Sequence, residues 1–252
     1  MHNHLSIFLF FFLRYVIALR IPDPIALYPL NSQYKIGELE NRQPLGTSVG
    51  VILTAGPNGK AGGSFQFTGQ ANSYIEFPNN GGLDTVRSIT MLCWLYPQST
   101  DGPILNYKTS GSWGVHMWVV SGKLFARFTK RNYQFTQPLT TSKSLALNQW
   151  QYVGASYDHE TGVASLWLDG QQVVQTNIGA GMTLGTQDNV RMGAKEGDKR
   201  YFRGRIATMQ IYDVALTEEQ VNAVKVAGQG NHFEVAFPLG FWSRFYHLSC
   251  TV

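Results

Sequence analysis

Between residues 50 and 213 the chain is a succession of short apolar runs, rich in β-branched and aromatic residues and broken about every 8 to 15 positions by Gly, Asn, Asp or Pro. That pattern predicts strands, because such residues suit a pleated surface and the breakers suit turns. The predicted strands are Gly50 to Leu53, Ser64 to Phe67, Tyr74 to Phe77, Ser88 to Tyr96, Ile104 to Tyr107, Gly114 to Val119, Lys123 to Phe128 and Tyr133 to Thr136. They continue with Gln151 to Tyr157, Ala164 to Leu168, Gln172 to Asn177, Asn189 to Gly193 and Gly204 to Tyr212. So many strands exceed what one open, twisted sheet accommodates, so two packed antiparallel sheets are expected. In the run from Ser88, residues Ile89, Met91, Cys93 and Leu95 fall on one face and Leu92, Trp94 and Tyr96 on the other. Both faces are apolar, which predicts a central strand covered on both sides.

Turn chemistry supports antiparallel neighbours. Asp169-Gly170 separates two strand patterns and predicts a two-residue hairpin, since both positions tolerate the positive φ such a loop requires. Asp158 to Gly162 predicts a five-residue loop closed by glycine. One segment reads as a helix, Thr217 to Lys225. Thr217 and Gln220 form a capping box, Glu218 and Glu219 lie near the positive end and Lys225 near the negative end. Leu216, Val221 and Val224 give that helix an apolar face, expected to lie on the sandwich.

The ends follow different patterns. Residues 1–18 combine an apolar run, Leu5 to Leu13, with small residues near Ala18, too short to span a bilayer and of the length of a secretory signal. Cleavage near Ala18 and release from the cell are the expectation, with no later membrane anchor. Residues 229–252 form an aromatic tail of unassigned role that contains Cys250; Cys93 sits in a predicted buried strand, and secretion would permit a bond between the two. The body is therefore expected over residues 19–228.

Composition narrows the function. The 252 residues are 44% hydrophobic, 13% aromatic and 14% charged, which requires a folded core and excludes a disordered chain. A net charge of +4 is too small to imply a nucleic-acid partner unless it is clustered. Two cysteines cannot build a disulfide scaffold.

The ordered set of motifs carries a resemblance. Ala61 to Gly69, Ser73 to Pro78 and Ser88 to Pro97 resemble the opening strands of laminin-G-like, concanavalin A-like jelly-roll domains. Leu147 to Asp158, Leu166 to Gly170, Phe202 to Ile206 and Gln210 to Thr217 follow the same family's order and spacing, and the likeness covers roughly residues 24 to 228. It implies an all-β, two-sheet antiparallel jelly-roll sandwich with one short C-terminal helix. It also implies an extracellular module for adhesion or carbohydrate recognition, with a glycan or matrix protein as partner. Small secreted chains of this kind also resemble components of invertebrate extracellular matrix, including the organic matrix of mineralised skeletons. Calcium is the cofactor the resemblance implies, with Asp158 and Asp213 as candidate ligands. Thr68 and Ala207-Thr208 stand where relatives often carry acids, a departure from the calcium pattern.

For ligand binding the candidates fall into two groups. Trp113, His116 and Trp118 could form a sugar-stacking surface, His116 and Trp118 sharing a face by period two. Trp150, Tyr152 and Tyr157 read instead as packing residues. Lys123, Arg127, Lys130 and Arg131 on one hairpin, with Lys195, Lys199, Arg200, Arg203 and Arg205 near the end, would form an anion-binding patch for sulphated glycans if they meet in space.

Catalytic patterns are missing from the sequence. Glycan cleavage needs two carboxylates converging on one bond, and the close pairs Glu38/Glu40, Asp158/Glu160, Glu196/Asp198 and Glu218/Glu219 read as solvated loop or cap charges. No nucleophile elbow, zinc motif or phosphate loop occurs. The preferred reading is a secreted, non-catalytic recognition module. A structural matrix component without a discrete ligand, and a glycan-active enzyme, are the alternatives.

Overall fold

The alternation around Trp94 becomes a nine-residue strand in the middle of an antiparallel sheet. In the computed structural model, which describes residues 19–227, the elements in chain order are β1 (Ala26–Tyr28), β2 (Thr47–Val49), β3 (Val51–Thr54), β4 (Ser64–Thr68) and β5 (Tyr74–Phe77). There follow β6 (Ile89–Pro97), β7 (Gly102–Tyr107), β8 (His116–Val120), β9 (Lys123–Arg127), β10 (Leu139–Thr140) and β11 (Gln151–Tyr157). The remaining elements are β12 (Val163–Leu168), β13 (Gln171–Asn177), β14 (Val190–Met192), β15 (Arg203–Tyr212) and one helix, α1 (Glu218–Ala227). The segments 1–18 and 229–252, with the expected signal cleavage and Cys250, lie outside the described residues.

One sheet runs β13-β12-β11-β6-β15-β4-β3, with β1 also paired to β15; the other runs β10-β9-β8-β7-β14-β5-β2. All of these pairings are antiparallel. The chain thus forms the expected two-sheet jelly-roll sandwich with one short C-terminal helix.

Period two decides what each sheet buries. From β6, Ile89, Met91, Cys93 and Leu95 enter the core between the sheets, with Ile75 and Phe77 of β5 and Met117 and Val119 of β8. Burial holds the Cys93 thiol neutral by pushing its pKa far up. On the opposite face of β6, Leu92 and Trp94 join Tyr152 and Trp167 in a second cluster covered by Leu216, Val221 and Val224. The helix therefore closes the outer face of the eight-stranded sheet.

Its capping box forms as the sequence predicts: the Gln220 side chain accepts from Thr217 N–H (2.9 Å) and the Thr217 hydroxyl accepts from Gln220 N–H (3.3 Å). The Asp169-Gly170 hairpin joins β12 to β13 with φ of 54° and 92°, and Lys225 donates to the Asp169 carbonyl at 2.7 Å. The packing roles expected of Tyr152 and Tyr157 also hold, both being buried, while half-buried Trp150 packs against Tyr96.

One expected strand is not formed, and three unexpected short strands are. Tyr133 to Thr136 is loop: Tyr133 is left-handed (φ 63°), its hydroxyl donates to Asp188, and the Thr136 hydroxyl donates to the Phe128 carbonyl. Side-chain bonds there replace a ladder. Conversely, β1, β2 and β10 are strands of two or three residues, too short to show a period. Glu38, expected to be solvated, is buried. Its carboxylate accepts from the backbone of Leu27, Glu40 and Arg42 and pairs with the Arg42 guanidinium at 3.0 Å, which staples the leading segment to β1.

Candidate functional site on the outer face of the seven-stranded sheet

Among the described residues, no helix covers the outer face of the sheet that contains β8. Because Met117, Leu124, Ala126 and Leu105 point into the core, their strand neighbours His116, Trp118, Phe125, Arg127 and Asn106 are placed on the opposite face. Register then aligns Glu76, Arg191, Asn106, His116 and Arg127 as one row across β5, β14, β7, β8 and β9. Trp118 stands opposite Phe125 in the adjoining row. The connecting segments add Trp113, Phe135, Lys195 and Arg200.

Aromatic rings and cations alternate over this face. His116 stacks on Phe125 with ring centroids 5.8 Å apart and meets Trp118 edge-on at 6.1 Å. Arg127 lies 5.6 Å from the Phe125 centroid and 4.9 Å from that of Phe135, and Phe135 packs edge-on against Trp113 at 6.2 Å. Lys195 Nζ sits 4.5 Å over Trp113, Arg200 4.6 Å over Trp118 and Arg191 4.3 Å over Tyr74. These are cation–π distances.

Polar groups form a lower layer. The Trp118 indole N–H donates to Asn106 Oδ1, whereas the Asn106 Nδ2 is buried with no partner among the described residues. His116 Nδ1 lies 2.8 Å from the Gly114 carbonyl, which also accepts from the Thr129 hydroxyl. Burial lowers the His116 pKa to about 4; the Gly114 carbonyl opposes this, and the charges of Arg127, Lys195 and Arg200 reinforce it. His116 is therefore neutral at pH 7. Its Nδ1 carries the proton toward Gly114, which leaves Nε2 as an acceptor. Lys195 donates to the carbonyls of Gly111 (2.8 Å) and Glu196 (3.3 Å), and burial lowers its pKa. Burial also lowers that of Arg127, whose Nε is buried without a partner among the described residues. Arg200 is held by Asp198, whose carboxyl its guanidinium keeps below the usual range.

The sequence candidates separate accordingly. Trp113, His116, Trp118, Arg127 and Arg200 come together, with Lys195. Trp118 is not an open platform, however; it is 2% exposed beneath Arg200, and the more accessible rings are Trp113, Phe125 and Phe135. The basic residues do not gather into one patch. Lys123 is at the β8–β9 turn, Lys130 follows the far end of β9, and Arg131 is held by Asp84 at 2.7 Å. Lys199 is an exposed loop residue, while Arg203 and Arg205 lie on β15 of the other sheet, Arg205 over Tyr96 at 4.8 Å. The strands separate charges that are close in sequence.

The donor set expected for calcium does not fit. Asp158 and Asp213 leave the same end of the eight-stranded sheet, but the Asp158 carboxylate accepts the Glu160 N–H and Asp213 is exposed. No group of three or more His, Cys, Asp or Glu side chains that could hold a metal occurs among the described residues. Of the remaining acids, Glu160 pairs with Arg87, and Glu196 with Arg191, which Glu76 also holds.

Sequence reading missed Glu76, Asn106, Phe125, Phe135 and Arg191. The available signal was alternation: Glu76 separates Ile75 from Phe77, Asn106 separates Leu105 from Tyr107, and Phe125 separates Leu124 from Ala126.

A two-sheet jelly roll with one sheet face left open to side chains is a lectin-type sandwich. The profile described as the concanavalin A-like lectin/glucanases superfamily, of the laminin G type, matches residues 68–222, and the chain belongs to that superfamily. Curated relatives include C-reactive protein of Mesocricetus auratus, 30% identical over 84 residues, and of Mus musculus, 29% identical over 84 residues. Each match covers 31% of this chain and 37% of the relative, so little more than a third of those proteins is spanned. Among solved structures, the binding domain of Paraclostridial Mosquitocidal Protein 1 aligns with a TM-score of 0.66 at 16% identity, over 80% of this chain and 51% of that one. Domain 4 of AbnA, a GH43 extracellular arabinanase from Geobacillus stearothermophilus, in complex with arabinotriose, gives 0.61 at 19%, over 81% and 99%. The botulinum neurotoxin serotype D ligand binding domain, in complex with N-acetylneuraminic acid, gives 0.62 at 16%, over 81% and 51%. At these identities the likeness is one of fold.

Proposed function

We propose that the protein is a secreted, non-catalytic recognition module that binds an extracellular glycan through the outer face of its seven-stranded sheet. The observation that carries this reading is the cross-strand row from Glu76 to Arg127, flanked by the accessible rings of Trp113, Phe125 and Phe135. Flat rings beside fixed polar groups suit a sugar, whose C–H face stacks while its hydroxyls hydrogen-bond. Sugar complexes of two fold neighbours lend support. Non-catalysis rests on the acids. The carboxylate of this row, Glu76, is held by Arg191 at 2.7 Å rather than set opposite a second carboxylate across a free gap. Extracellular placement rests on the leader and on the family, and cleavage near Ala18 should leave secreted material that begins near Leu19.

A glycan array probed with the full chain, with and without calcium, tests the reading. Binding should appear in both conditions, should weaken about tenfold or more in the Trp113→Ala/Phe135→Ala variant, and should release no reducing ends from β-glucans or galactans. Failure to bind any glycan would leave a structural matrix role as the better account. Turnover abolished by one Asp or Glu substitution would make the protein an enzyme.

A further inference from the structure

Resting on the glycan reading above, we infer that Arg127, His116 and Lys195 form a subsite for a sugar that bears a carboxylate, a uronic-acid residue. Five cations of this sheet and its connecting loops lie over an aromatic ring: Lys108 over Tyr133, Arg191 over Tyr74, Arg200 over Trp118, Arg127 over Phe125 and Phe135, and Lys195 over Trp113. Three also have a carboxylate within ion-pair distance: Lys108 with Asp188 at 3.6 Å, Arg191 with Glu76 at 2.5 Å and Arg200 with Asp198 at 2.5 Å. Arg127 and Lys195 have no carboxylate within ion-pair distance among the described residues; burial lowers the pKa of both, opposed at Lys195 by the more distant charges of Asp198 and Glu196 and at Arg127 by no carboxylate. For half-buried Arg127, a cation without a counter-charge, this burial costs free energy that an anion on this face would recover. Arg127 pairs with His116 in register, and the charges of Arg127, Lys195 and Arg200 all act on that histidine.

The polar atoms left over define the ligand further. In register, Asn106, His116 and Arg127 are consecutive across β7, β8 and β9. Asn106 is fully buried with Nδ2 unpartnered, and the Arg127 Nε is likewise without an acceptor. Between these two donors stands neutral His116, whose Nε2 has no hydrogen-bond partner among the described residues. Donor, acceptor and donor at strand spacing fit a group that offers acceptor oxygens beside a hydroxyl. A sugar with a carboxylate next to a ring hydroxyl meets this pattern. The planar carboxylate also suits Arg127: with Phe125 and Phe135 near its guanidinium, the in-plane N–H groups remain for a bidentate acceptor. Phe135, which is half-exposed, and Trp113 supply the apolar surface for the sugar ring.

Calorimetric titration of the full chain tests this with four tetrasaccharides: tetragalacturonic acid, its methyl ester, a sulphated galactan tetrasaccharide without carboxylates, and cellotetraose. The acid should bind at least about tenfold tighter than the ester, a comparison that needs no mutation and so carries no folding risk. Arg127→Lys, which keeps the charge and removes the fork, should lose about tenfold for the acid and clearly less for the ester, so that the preference for the acid over the ester shrinks. Equal binding of acid and ester would overturn the carboxylate subsite while leaving the glycan reading intact. A sulphated ligand that binds as tightly as the acid and is equally sensitive to Arg127→Lys would replace the carboxylate with a general anion. Absence of binding to all four, together with a blank glycan array, would overturn both.

Discussion

The indole N–H of Trp118 donates to the carboxamide oxygen of Asn106, and both side chains are buried on the outer face of the seven-stranded sheet. Trp118 is thus part of the wall of that sheet, whereas Trp113 lies half-buried above it. Trp118→Ala should therefore destabilise the protein by about 3–5 kcal/mol, because it opens a large cavity and leaves the Asn106 amide without its donor. Trp113→Ala should cost about 1 kcal/mol or less in stability and act on ligand binding instead. Urea unfolding of the two variants checks this; equal destabilisation would show that the rings have equivalent roles.

His116 makes stability depend on pH in a defined window. Its folded pKa, about 4, is below the unfolded value of 6.5, so the unfolded chain binds more protons between those limits. The stability from keeping His116 neutral is fully present above pH 6.5 and is lost as pH falls toward 4. The shift corresponds to about 3 kcal/mol as an order of magnitude. Asp84 and Asp198, whose pKa values are lowered, contribute losses only at lower pH. Denaturation midpoints at pH 7.5 and 4.5 should differ markedly in the wild type and much less in His116→Gln. The same pH sensitivity in both proteins would assign the effect elsewhere.

Much of the sandwich was legible because its signals are local. Alternation along Ile89 to Tyr96 marked the central strand, and Asp169-Gly170 marked the β12–β13 hairpin because two positive φ angles restrict residue choice strongly. The candidate face was legible only along single strands. His116 and Trp118 showed themselves as a period-two pair on β8, but the row they join depends on register between β5, β14, β7, β8 and β9, which comes from distant parts of the chain. Charge was misleading for the same reason. Arg200 and Arg203 are three residues apart, yet the first stacks on Trp118 and the second belongs to β15 in the other sheet. Phe135 was assigned to a strand because its neighbours are aromatic, and nothing local revealed that Tyr133 would turn left-handed.

Gly154 should tolerate no side chain. It pairs with Leu92 across β11 and β6, and a Cβ built there would lie 2.3 Å from Leu92 Cδ2 and 2.8 Å from the Met91 carbonyl. Leu92 is fully buried beneath the helix-covered cluster, so it has little room to move. Gly154→Ala should cost about 1–3 kcal/mol through overpacking, and Gly154→Val more. Thermal melting that leaves both variants within a degree or two of wild type would contradict the close fit.

The helix provides a further test, since its cap and its seal can be removed separately. Thr217 and Gln220 satisfy each other's backbone amides, and Gln220 Nε2 also donates to the Arg20 carbonyl at 2.8 Å, tying the first turn to the leading segment. Thr217→Ala should cost about 1 kcal/mol, the usual value of an N-cap, and leave the apolar contacts in place. Val221 is fully buried against the cluster of Leu92, Trp94, Tyr152 and Trp167, so Val221→Ser should cost more, about 2–3 kcal/mol, by burying a hydroxyl where a methyl group packed. It should also loosen the cover over Trp94 and Trp167, making them more open to acrylamide quenching, whereas Thr217→Ala should leave quenching nearly unchanged. If both variants lose the same stability with the same quenching, cap and seal act as one unit and the helix docks only as a whole.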